Sequence, residues 1–337
     1  MSARSTPQRP ASDPPPRLAD IHGQERAIGF LRRAWEGGRL AHAYLFTGPA
    51  GVGKLTTARA LAMGLHCDAI PFDACGACGS CRTITAGTNA DVRTILGPLA
   101  GKRDISIDQI RELQRELAFR SLSGHAKIGI VNDAEHLTLQ AQNALLKTLE
   151  EPEGDSLLVL VSVNSASLAP TILSRCQRLT FSPLPAAAVT QVLERHGRCG
   201  PDAAVVAAYA EGSPGRALGL DTDFFSSRRR EILSHFGGLS SMEFGQLANL
   251  AAEITGEEEN LTDTLNVIVS WYRDALRRDV LGDAAALQNE DLADRLPEPG
   301  VRENLRNLET TYDTINALRR NANRNLALIN MLLRLTE

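Results

Sequence analysis

Two hydrophobic patterns divide this chain. As far as residue 182, short continuous apolar runs alternate with stretches whose apolar residues recur every three to four positions; beyond it only the helical period persists. The runs at Ala43–Thr47, 91–96, Lys127–Val131, 157–163 and 178–181 read as strands. The run at 157–163 is apolar almost throughout, as expected of a parallel strand buried on both faces. Between the strands, the spacing predicts a helix over Glu25–Glu36, with Ile28, Leu31 and Trp35 inward and Gly37-Gly38 ending it. A second helix, over 54–64, turns Ala58, Leu61 and Leu65 inward. A third, capped by Ser106 or Asp108, carries Ile110, Leu113 and Leu117 on one face. A fourth covers 140–151 and is closed by Pro152, and a helical turn spans 169–176. Five strands separated by helices predict a doubly wound α/β domain with a five-stranded parallel sheet.

After Pro183 helical segments are expected at 186–196, 202–210 and 212–217, then at 225–236, 242–254, 261–279, 301–318 and 321–335. Pro297 and Pro299 mark a break within that series. The expected organisation is a disordered Pro/Ser/Arg-rich tail at 1–17, an α/β core at 18–182, a small helical module at 183–221 and an all-helical domain at 222–337.

Composition narrows the classes. At 337 residues the chain has room for two or three domains, and 43% hydrophobic with 23% charged residues is ordinary for a soluble protein. Its net charge of −4 gives no basic footprint for free nucleic acid, so DNA contact is expected to be shared with partners. No apolar run reaches the roughly 18–20 residues of a membrane span, and the first residues lack the apolar stretch of an export signal. The expected compartment is therefore the cytoplasm, where cysteines stay reduced unless they bind metal.

The run at Ala43–Thr47 leads into Gly48-Pro49-Ala50-Gly51-Val52-Gly53-Lys54, and a helix follows. Glycines let successive backbone N–H groups turn toward one centre, the helix start adds partial positive charge, and Lys54 reaches outer phosphates. Such a loop wants Ser or Thr next, to ligate Mg²⁺. This chain has Leu55; Thr56 lies about 100° further round the helix and is a poor substitute. A carboxylate at the end of the third strand would complete a magnesium site, but the strand ends in Asn132-Asp133.

Cys67, Cys75, Cys78 and Cys81 form two overlapping CxxC units plus one further thiol. Against small buried cysteines or a redox CxxC, four of the chain's six cysteines within fifteen residues, with glycine in the turns, favour a closed Cys₄ zinc site. A closed site leaves no open position for chemistry, so its role is structural.

HAYLFTGPAGVGK, the cysteine cluster, NALLKTLEEP at 143–152, TILSRC at 171–176, GSPGRAL at 212–218 and the terminal RNANRNLALINMLLRL stand in one order. Together they closely resemble the bacterial clamp-loader branch of the AAA+ ATPases, over nearly the whole chain. The resemblance implies an AAA+ core with an inserted zinc module, a three-helix lid and a helical collar for oligomerisation. It implies partners: gamma/tau and delta subunits in a hetero-pentamer, and, through that complex, the sliding clamp and primer-template DNA of the DNA polymerase III holoenzyme. Within the family, a hydrolysing type has Ser/Thr after the loop lysine and an Asp-Glu pair after the third strand. Counting back from Asn143, that pair falls on Asn132 and Asp133. Both departures remove the same metal, so the chain resembles the non-hydrolysing stator rather than an active gamma/tau-type ATPase.

The resemblance further implies that Arg175, in SRC, is an arginine finger reaching a neighbour's ATP, against the bland reading of a surface arginine paired to a carboxylate. Arg216 falls at the family's lid-arginine position. Gly48, Gly51, Gly53 and Lys54 still offer a degenerate nucleotide cradle in which weak ADP or ATP binding without Mg²⁺ and a relic loop holding water or sulfate are both open readings. No set of acidic residues patterned for nucleotidyl transfer is found, so polymerase chemistry is not expected of this chain.

Overall fold

A computed structural model describes residues 17–336, apart from 122, 153, 222–223, 257–260, 283–286 and 298–299. Except for Arg17, the expected tail lies outside the described residues, and so does Pro299. In chain order the elements begin with α1 (Glu25–Glu36), β1 (Ala43–Thr47), α2 (Lys54–His66), α3 (Gly79–Thr85), β2 (Val92–Ile95), α4 (Ile107–Ala118) and β3 (Lys127–Val131). Then come α5 (Leu139–Glu150), β4 (Ser156–Ser162), α6 (Pro170–Leu173), β5 (Gln177–Thr180), α7 (Ala186–Arg195), α8 (Pro201–Tyr209) and α9 (Pro214–Gly219). The remainder is α10 (Arg229–Phe236), α11 (Phe244–Gly256), α12 (Leu261–Leu281), α13 (Val301–Arg319) and α14 (Arg324–Thr336). They form two compact units. One holds the described residues up to Val192 with Gly212–Arg216, the other Leu193–Glu211 with the residues from Ala217 onward.

The first unit is built on a five-stranded sheet of order β2-β3-β4-β1-β5, with every pair parallel. β1 and β3 are buried at all positions, as their continuous apolar runs require. β4 lies between them, pairing Ala43 with Leu158 on one side and Lys127 with Ser156 on the other. This order puts the loops after β1 and β3 at the same sheet edge, two strand spacings or about 10 Å apart. Helix α4 starts from a capping box: Ser106 caps Gln109, whose side chain reaches back to the Ser106 N–H. Its Ile110, Leu113 and Leu117 enter a core shared with Leu145 and Leu149 of α5. Trp35 departs from the expected inward face of α1. It is 36% exposed and stacks on Phe72 at 5.2 Å between ring centroids.

The second unit is helical and is pinned by a buried polar network. Asp274, fully buried, accepts from the N–H groups of Gln288 and Asn289 and from Asn289 Nδ2, at 2.8–3.0 Å. Asn289 Oδ1 in turn accepts from Arg229 and from the Tyr209 hydroxyl. The buried face of α13 is polar too, and Thr310, Thr311 and Thr314 satisfy their hydroxyls on carbonyls one turn back. Among the described residues no helix is long and apolar enough to cross a membrane.

Candidate functional site

The loop between β1 and α2 has the backbone a phosphate cradle needs. Gly48, Gly51 and Gly53 have φ of 145°, 72° and 97°, a region that glycine enters without steric cost. Lys54, only 5% exposed, is engaged by the loop itself. Its Nζ donates to the Gly48 carbonyl at 2.6 Å and the Pro49 carbonyl at 2.5 Å. Leu55 is half-buried, Thr56 is exposed, and Thr57 is buried with its hydroxyl donating to the Gly53 carbonyl at 2.8 Å.

Gly212–Arg216 is seated on this loop. The Gly215 N–H donates to the Gly51 carbonyl at 2.9 Å, and the Ser213 hydroxyl donates to the Ala50 carbonyl at 2.9 Å. A Cβ on Gly215 would sit 2.9 Å from Gly51 Cα, and one on Gly51 would run into Ser213 Oγ. Gly215, one residue before Arg216, is therefore the one whose Cα faces the loop backbone. The backbone N–H of Arg216 is bonded to Ser213 Oγ at 3.1 Å.

Across β4 stands the end of β3. Asn132 is buried, and its Nδ2 donates to the Leu96 carbonyl of the neighbouring chain segment at 3.1 Å. Asp133 adopts a left-handed φ of 53°. Glu135 accepts from the Val163 N–H at the end of β4 at 3.2 Å. The three charges feel one another. Burial pulls the Lys54 ammonium from 10.5 down to about 8, with Glu135 and then Asp133 opposing. Burial, and then Glu135, push the Asp133 carboxyl above its ordinary value.

Arg175 follows α6, which enters with Pro170 at its first turn. Its Nη2 pairs with Glu150 at 2.7 Å, and Nη1 donates to the Thr171 carbonyl at 3.0 Å. Some 35% of the side chain remains exposed.

Cys67, Cys75, Cys78 and Cys81 converge as their spacing predicts, all four Sγ within 4.8 Å of one another. A tetrahedral ion with metal–sulfur bonds near 2.3 Å would bring them to about 3.8 Å, so the set fits with small adjustment. Backbone N–H groups point at the sulfurs: Cys78 to Cys75 at 3.3 Å, Cys81 to Cys78 at 3.4 Å, and Ile70 and Cys75 to Cys67, each at 3.4 Å. Such donors favour thiolate, and those from Ala77 and Cys78 hold the Cys75 thiol below its ordinary value. The cluster packs with Met63, Ala74 and Ile84 into a small core of its own.

A family profile described as "DNA polymerase III, delta subunit" matches residues 23–185. The DNA polymerase III subunit delta' of Pseudomonas aeruginosa is 37% identical over 267 residues, covering 76% of each chain. The chain belongs to the family of DNA polymerase III delta' subunits. This is the clamp-loader family whose motifs the sequence carries. The subunit delta' of Bacillus subtilis is 37% identical over 166 residues, 49% of this chain and 50% of its own. The Bacillus subtilis subunit tau is 29% identical over 270 residues, 75% of this chain and 46% of its own. The chain thus spans half or less of these two relatives. Both delta' and tau sequences therefore resemble this chain.

Glu135, Ser213 and Glu150 were the residues missed among the delta' motifs. Glu135 sits two residues past the expected acidic pair, while Ser213 and Glu150 lay inside recognised motifs without a local pattern to give them a role. The depressed Lys54 has a measurable consequence. Between about pH 8 and 10.5 the unfolded chain binds more protons at this lysine than the folded one, so its contribution to stability rises with pH across that window. The difference in unfolding free energy between the natural chain and Lys54→Met is expected to be flat below about pH 8 and to rise from there toward pH 10.5. Urea unfolding across that range measures it, and a difference that falls in the window would contradict the assignment.

Proposed function

We propose that this chain is the non-hydrolysing stator of a cytoplasmic DNA polymerase III clamp loader. It joins gamma/tau and delta subunits in a hetero-pentamer that places the sliding clamp on primed DNA. In this reading residues 18–182 are an AAA+ core, 183–221 a lid and 222–337 a collar through which the subunits assemble. One observation carries the reading: the positions that would ligate magnesium are Leu55, which is apolar, and Asn132, whose amide donates to the Leu96 carbonyl. Phosphoryl transfer leans on the metal to neutralise developing charge, and neither position supplies it a carboxylate or hydroxyl. The bonds from Lys54 Nζ to its own loop support the same reading, since a nucleotide phosphate would have to displace them. A gamma/tau-type motor would need Thr56 and Asp133 as substitutes, yet Thr56 is exposed and Asp133 is one methylene shorter than glutamate.

The chain's part in catalysis is then Arg175, acting in trans on a neighbour's nucleotide. An arginine finger is worth roughly 10³–10⁵ in rate at its own site, because it meets charge that grows only in the transition state. Arg175 stands two residues past the end of a short helix and is partly exposed, which suits that use. In a loader reconstituted with Arg175→Ala, steady-state ATP turnover is expected to fall severalfold while the pentamer still forms. Unchanged turnover in an intact pentamer would overturn the assignment.

Cys67, Cys75, Cys78 and Cys81 would hold a structural Zn²⁺, which supplies folding free energy to a module with little core of its own. The purified chain is expected to contain about one zinc ion, as a single Cys₄ site requires. Cys78→Ser should lose the ion and the folded module while the sheet persists. Metal analysis and amide exchange over Cys67–Thr85 check this; a metal-free chain with the module equally protected would refute it.

A further inference from the structure

Glu150 and Arg175 are set opposite each other by a common core. Leu145 and Leu149 of α5 and Ile172 of α6 are buried in one apolar cluster, with Leu173 and Cys176 packed against it. The last turn of α5 is tied down further by a hydrogen bond of 3.0 Å between His42 Nε2 and the Leu149 carbonyl. Packing therefore fixes the separation of the two helix ends, and there the Glu150 carboxylate meets Arg175 Nη2 at 2.7 Å. Nη1 donates on its other side, to the Thr171 carbonyl at 3.0 Å and Ser174 Oγ at 3.3 Å.

From this geometry we infer that Glu150 is a positioning residue, presetting the guanidinium of Arg175 for the polyphosphate of a nucleotide bound by a neighbouring subunit. The inference rests on the proposed trans role of Arg175. A guanidinium carries five N–H bonds, and the contacts to Glu150, Thr171 and Ser174 engage three of them, leaving two for a phosphate. Those contacts hold the guanidinium plane in one orientation, so docking against an anion costs less rotamer entropy than it would for a loose arginine. As an ion pair between two partly exposed groups, Glu150 and Arg175 contribute little to the stability of the fold. The value of the pair at this position is geometric. The carboxylate, guanidinium and incoming phosphate alternate in charge, so the pair need not break when the phosphate arrives.

The test uses the full chain in a reconstituted loader, with steady-state ATP hydrolysis and pentamer formation both measured. Glu150→Ala is expected to lower kcat by about twofold, a smaller loss than Arg175→Ala brings, as a misplaced rather than a missing group would. KM and assembly should not change. Glu150→Gln, which keeps an acceptor without the charge, should recover part of the loss, and it stands in should the alanine variant fail to fold. Combined with Arg175→Ala, Glu150→Ala should cost nothing further. If Arg175→Ala lowers turnover while both Glu150 variants leave it equal or higher, the positioning role is wrong and the finger stands. A full additional loss in the double variant would likewise overturn the positioning role. If Arg175→Ala itself has no effect, the finger falls and the positioning role falls with it.

Discussion

Backbone lies against backbone where Gly215 meets Gly51, and the candidate nucleotide site takes its form from that contact. Neither residue has a side chain to hold the two segments apart, so the Gly215 N–H reaches the Gly51 carbonyl at 2.9 Å. Ser213 adds a second bond to the same loop through the Ala50 carbonyl. Beneath it, Lys54 is buried at the first position of α2 and directs its ammonium to the carbonyls of Gly48 and Pro49. Burial lowers its proton affinity, and the field of Glu135 and Asp133 keeps it from falling further. The loop is thus a self-satisfied turn at the end of a fully buried strand.

Much of this architecture was legible. Short apolar runs located β1 and β3 to the residue because a strand buried on both faces breaks the alternation of polar and apolar positions. Helix α1 was bounded equally well, since Gly37-Gly38 stops it. The cysteine spacing alone predicted convergence, because CxxC turns leave few ways to place the sulfurs. The sequence was silent where position depends on partners distant along the chain. Nothing local says that β4 inserts between β1 and β3, yet that insertion sets the spacing between Glu135, after β3, and Lys54, after β1. Helical period marked Trp35 as inward, but period defines a face without saying how far the core extends along it; the ring ends at the surface on Phe72. The pairing of Glu150 with Arg175 joins two recognised motifs that no spacing rule connects.

Read as a stator, the chain separates two things that a hydrolysing subunit combines. The cradle is kept as a turn, with Leu55 and Asn132 where a metal would need a hydroxyl and a carboxylate. The carboxylates that remain, Asp133 and Glu135, act on Lys54 through their field. The cation available for chemistry stands elsewhere, after α6, where packing of α5 against α6 sets its surroundings. In this reading loop and finger share one support, because the apolar cluster that holds Ala43 and Leu45 of β1 also holds Ile172 of α6.

Magnesium-dependent ATP hydrolysis by the purified, full-length chain tests this account most directly. The account predicts no turnover above background, and the same trace for Lys54→Ala. Steady turnover that Lys54→Ala abolishes would contradict it, because the loop would then be a working catalytic centre despite Leu55 and Asn132.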